Sequence, residues 1–82
     1  MAKILIVDDD VDLVDTTRIV LQKDGHTTEQ AHTRQDGMAK VASFGPDLVL
    51  LDVMMEFQDD GLAMAQELRR QGFTKPILML TN

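Results

Sequence analysis

Two uninterrupted apolar runs, each closed by carboxylates, constrain this chain more than anything else in it. Lys3-Ile4-Leu5-Ile6-Val7 leads into Asp8-Asp9-Asp10, and Asp47-Leu48-Val49-Leu50-Leu51 leads into Asp52. A strand with one face in water alternates apolar and polar residues. A continuous run belongs instead to a strand covered on both faces, as in parallel sheets flanked by helices. A third run, Ile77-Leu78-Met79-Leu80, reads as another buried strand and carries the hydroxyl of Thr81 at its tip.

The segments between these runs carry helical periodicity. Over residues 11–24, Leu13, Val14, Thr17, Val20 and Leu21 share one face, with Asp10 as the N-cap and Gly25 as the C-terminal stop. Residues 27–31 form a strand polar enough to lie at a sheet edge. A second helix starts at Thr33, where Thr33 and Asp36 resemble a capping box; Met38, Val41 and Ala42 form its inner face, and Gly45-Pro46 ends it. A third begins near Asp60, buries Leu62, Ala65 and Leu68, and stops at Gly72. The order is βαβαβαβ, an α/β fold of one domain with right-handed crossovers. In open sheets of this class, ligands sit beyond the carboxyl ends of the strands, and Asp8, Asp9, Asp52 and Thr81 all lie there.

Composition removes several function classes. Fourteen acids oppose 8 bases for a net charge of −6, and the three aromatics are all Phe. Phosphate-backbone binding needs clustered Lys and Arg, and base stacking needs aromatic platforms, so no nucleic-acid partner is expected. No apolar run approaches the roughly 18 residues of a membrane span. There is no cysteine, which excludes disulfides and thiolate metal sites and fits a cytoplasmic protein.

Adjacent carboxylates at one strand end repel unless a cation lies between them. Mg²⁺ is held by one or two carboxylates together with water and phosphate oxygens. The alternative for Asp8-Asp9-Asp10 is an N-cap with two surface acids, favoured by the positive end of the next helix. Asp52 follows four apolar residues, so its carboxylate stands at the margin of a low-dielectric core. A carboxylate there can attack phosphorus and form an aspartyl phosphate. That chemistry rests on positioning and charge neutralisation.

Taken in order, Lys3 to Asp10, Pro46 to Met55 and Pro76 to Thr81 resemble the receiver domain of two-component response regulators along the whole chain. The resemblance implies a flavodoxin-like (CheY-like) parallel sheet. It also implies phosphoryl transfer to Asp52 from a histidine kinase or histidine phosphotransfer protein. It casts Asp9 as the direct Mg²⁺ ligand, Asp8 as its partner through water and Asp52 as a further ligand. Met54 would lend its backbone carbonyl, since its thioether is too soft for Mg²⁺. Thr81 resembles the hydroxyl that senses the phosphoryl group.

Two departures from the family accompany the resemblance. Glu56 stands where a proline is common, and Gly61 comes one residue late, after Asp59-Asp60. The family also has five βα units, whereas this chain covers the first four strands, as the N-terminal portion of a receiver. The lysine that ends the fifth strand has no counterpart, and Lys3 and Lys75 lie at the wrong strand ends. A fourth strand left at the edge invites pairing with a second copy, giving a homodimer. A chain competent only for such association is the alternative function. An aspartyl-phosphate phosphatase, which needs a second acid two residues after the nucleophile, is disfavoured because that position is Met54. His26 and His32 read as solvated loop residues.

Overall fold

The computed structural model describes residues 1–55 and 60–80. Seven elements follow one another: β1 (Lys3–Val7), α1 (Val11–Lys23), β2 (Thr27–Ala31), α2 (Arg34–Phe44), β3 (Leu48–Asp52), α3 (Asp60–Arg70) and β4 (Ile77–Leu80). The strands form one parallel sheet in the order β2-β1-β3-β4. The chain therefore builds outward from β1 to β2, then crosses back to β3 and β4. The order reverses between β1 and β3, and a crevice opens beyond their carboxyl ends. The expected α/β, flavodoxin-like architecture holds, with polar β2 at an edge.

The two apolar runs are the central strands, and their side chains supply both halves of the core. Leu5, Val7, Val49 and Leu51 pack with Met55, Met64 and Leu68 on one face. Ile4, Ile6 and Leu50 pack with Val14 of α1 on the other. Each fully buried aliphatic side chain contributes about 1.5–3 kcal/mol relative to exposure.

The helix ends follow local chemistry. The Leu13 N–H donates to Asp10 Oδ1 at 3.1 Å, and the Asp36 N–H donates to Thr33 Oγ1 at 3.1 Å. Gly25 takes φ +88°, a left-handed conformation that an L side chain rarely adopts.

The buried faces of the helices differ from those the periodicity predicts. In α1, Val14 is buried and Leu21 half-buried, but Leu13 and Val20 are exposed. A helix is about 10 Å across, whereas four strands at about 4.8 Å spacing span roughly 14 Å between outer axes. One helix cannot cover that face, so a flank of α1 stays open. The same shortfall leaves Leu78 of β4 54% exposed, so β4 is a half-covered edge and not a buried strand.

On the opposite face, α2 presents Gly37, Met38 and Val41 inward, while Ala42 points to solvent. Helix α3 buries Gly61, Met64 and Leu68; Leu62, expected inside, is 47% exposed. The cause is Gly61, whose backbone approaches the Asp52–Val53 peptide closely and fixes the rotation of α3.

Candidate metal and phosphoryl site

Parallel pairing of β1 with β3 aligns Val7 with Leu51, so the next residues, Asp8 and Asp52, emerge side by side. Asp9 joins them. One carboxylate oxygen from each of Asp8, Asp9 and Asp52 lies within 4.8 Å of the others. They line a hollow of about 180 Å³ together with Asp10, Leu13, Met54 and Leu80. No lysine lines it among the described residues, in keeping with the placement of Lys3 at the other end of the sheet, where its Nζ donates to the Phe44 carbonyl.

Asp8 is the most constrained of the three. It is only 5% exposed. Its N–H donates to the Ala31 carbonyl at 3.0 Å, its carbonyl lies 2.9 Å from His32 Nδ1, and its Oδ1 accepts from the Asp10 N–H at 2.9 Å. Asp52 Oδ1 lies 3.4 Å from the Met54 N–H, which closes a short turn beyond β3. The Val53 N–H donates to the Leu80 carbonyl, and the Val53 carbonyl accepts from the Gly61 N–H. Val53 is thus tied to both β4 and α3.

Burial raises the Asp8 carboxyl above its usual 3.8; the Asp10 N–H opposes this, and the Asp52 and Asp9 charges reinforce it. The folded chain therefore holds this proton more tightly than the unfolded chain does. Stability falls as pH climbs from 3.8 through the raised folded value, and the ionised carboxylate remains a cost above it. Asp8→Asn keeps an acceptor for the Asp10 N–H and removes that cost. In metal-free buffer it is expected to raise neutral-pH stability by on the order of 1 kcal/mol, an advantage that fades in acid. Urea midpoints for both proteins at neutral and acidic pH measure this, and a less stable variant at neutral pH would refute it.

The donor set suits a small hard cation: three carboxylates, with no sulfur or imidazole nitrogen among them. A divalent ion would relieve the repulsion that burial intensifies at Asp8. Thr81 lies outside the described residues, as do Glu56 and Asp59. Both histidines depart from the solvated role expected of them. His26 is half-buried and accepts from the Ala2 N–H at Nδ1 (3.1 Å), while His32 is half-buried against Asp8. The sequence signal for His32 was its place one residue past β2, whose Ala31 pairs in register with Val7.

The model of the response regulator receiver domain matches residues 4–82. The chain belongs to this family. Among curated relatives of this receiver, response regulator MprA of Mycobacterium ulcerans is 42% identical over 79 residues, covering 96% of the chain and 34% of that protein. The chain thus spans about a third of the length of the curated relatives it matches. The N-terminal domain of a response regulator receiver protein from Methanoculleus marisnigri superposes with a TM-score of 0.91 at 34% identity, covering 99% of the chain and 67% of that structure. The BeF3-activated receiver domain of Klebsiella pneumoniae RstA gives 0.87 at 30% identity, over 96% and 66% respectively. Among the described residues of the receiver, no helix is long and apolar enough to cross a membrane.

Proposed function

We propose that this receiver accepts a phosphoryl group on Asp52 from a phosphohistidine of a sensor histidine kinase or histidine phosphotransfer protein, in a Mg²⁺-dependent step. Residues 1–82 form the N-terminal portion of the receiver domain, acting in the cytoplasm. The observation that carries this reading is the convergence of Asp8, Asp9 and Asp52 at the sheet's switch point. The BeF3-activated state of the RstA relative supports it.

Asp8, Asp9, Asp52 and the Met54 carbonyl would hold the ion, which when bound supplies positive charge opposite the phosphoryl oxygens. Asp52 presents its free carboxylate oxygen to phosphorus. As the new O–P bond forms, the P–N bond breaks and its electron pair returns to the ring nitrogen; the imidazole, already protonated at its other nitrogen, leaves neutral. Leu80 and the buried ends of β1 and β3 limit water on the core side of the pocket. Leu13 and Met54, 46% and 53% exposed, give its rim an apolar surface for the phosphodonor protein. Thr81 is the hydroxyl assigned to sensing the product.

Incubation with a small acyl phosphate and Mg²⁺, followed by mapping of acid-labile phosphate, tests the assignment. Phosphate on Asp52 is expected, and labelling at another residue would overturn it. Exposed Leu78 on the β4 edge favours a further association between two copies of this chain. Sedimentation across a concentration series should then show a monomer–dimer equilibrium. A monomer at every loading removes the dimer without touching the phosphoacceptor reading.

A further inference from the structure

The geometry points to His32 as a positioning residue for the acid pocket, a role that rests on the phosphoacceptor reading above. Its Nδ1 lies 2.9 Å from the Asp8 carbonyl. A carbonyl oxygen can only accept, so the bond requires the tautomer with its hydrogen on Nδ1. The last backbone pair of β1 with β2 is Val7 with Ala31, and the Asp8 N–H extends the ladder to the Ala31 carbonyl. The imidazole then supplies the next rung from a side chain. It substitutes for a backbone donor at the level where β2 has ended and α2 is about to begin.

The acceptor matters more than the bond itself. The Asp8 carbonyl belongs to the peptide that joins Asp8 to Asp9, so anchoring it orients the plane carrying both acids. Without that anchor, rotation of this peptide would swing Asp9, the exposed member, away from Asp52. Mutual repulsion of the three carboxylates drives the same motion whenever no cation is present. Asp8 would retain its other two bonds, through its N–H and its Oδ1, and neither restrains the peptide plane on the Asp9 side. His32 therefore holds the pocket ready, with the two acids of β1 already facing the acid of β3.

Two variants and one spectrum test this. His32→Ala removes the donor, whereas His32→Asn retains an N–H close to the position of Nδ1. Titration with Mg²⁺ alone, followed through backbone amide shifts, is expected to show affinity reduced about tenfold for His32→Ala, the scale of an outer-shell partner, and within about threefold of the parent for His32→Asn. Nitrogen-15 spectra of the parent should place the ring hydrogen on Nδ1. A His32→Ala affinity within twofold of the parent, equal losses in both variants, or a hydrogen confined to Nε2 would each overturn the proposal. A parent that binds no Mg²⁺ defeats the phosphoacceptor reading and this inference together; a parent that binds while His32→Ala binds equally well defeats this inference alone.

Discussion

Gly61→Ala is expected to cost this receiver about 3–5 kcal/mol, the scale of severe overpacking against an immobile neighbour. A Cβ at Gly61 would fall 1.8 Å from the Asp52 carbonyl oxygen, 2.7 Å from its carbon and 2.8 Å from Val53 Cα. All three atoms are backbone, so no rotamer change relieves the contact. Helix α3 would have to retreat from β3, loosening Met64 and Leu68, which are 0% and 1% exposed. It would also stretch the Gly61 N–H bond to the Val53 carbonyl, now 2.8 Å. Small domains hold only a few kcal/mol in reserve, so a largely unfolded variant is the expected outcome. Gly37→Ala is the control. Its Cβ would meet Met64 Cε at 2.9 Å and Val7 Cγ1 at 3.1 Å, the ends of side chains, and the helix gains about 1 kcal/mol of propensity from alanine. Denaturant midpoints should separate the two variants widely; a Gly61→Ala protein as stable as Gly37→Ala would show that the close approach has been misjudged.

Asp52→Asn is expected to abolish acid-labile phosphate altogether. An amide oxygen is no nucleophile towards phosphorus, and among the described residues no other carboxylate has the same position beside Asp8 at the end of β3. The variant should also bind Mg²⁺ more weakly, because one of three converging carboxylates is gone. It should nevertheless fold at least as well as the parent in metal-free buffer, since the Asn Oδ1 can still accept from the Met54 N–H and one like charge beside Asp8 is removed. Phosphate persisting on the variant would transfer the acceptor role elsewhere. Loss of phosphate together with loss of fold would leave the role of Asp52 unsupported, and a circular dichroism spectrum distinguishes these cases.

Much of this was readable in the residues themselves. The runs at 3–7 and 48–51 announced two-sided burial, and those strands became the centre of the sheet. Caps at Asp10 and Thr33 placed the helix starts because capping is local chemistry. The acids at 8, 9 and 52 were readable as one site because parallel topology brings the carboxyl ends of neighbouring strands together. Helix rotation was harder. Periodicity says where an apolar stripe lies but not how wide a neighbour will cover it, hence the misplacing of Leu13 and Val20 in α1. Nor does it say which close contact sets the rotation, as Gly61 does for Leu62 in α3. A glycine inside a helix lowers its propensity, and what calls for Gly37 there is close packing against Val7 and Met64, both distant in sequence. His32 went unrecognised for the same reason.

The adjacency of β1 and β3 has a kinetic corollary. Asp8 and Asp52 are brought together by the pairing of β1 with β3, which closes a loop containing α1, β2 and α2, so the pocket depends on a non-local contact whose closure slows folding. A cation that recognises only the finished pocket cannot speed that search. A cation bound there would act as a latch on the native state, with slower unfolding at an almost unchanged folding rate as its signature.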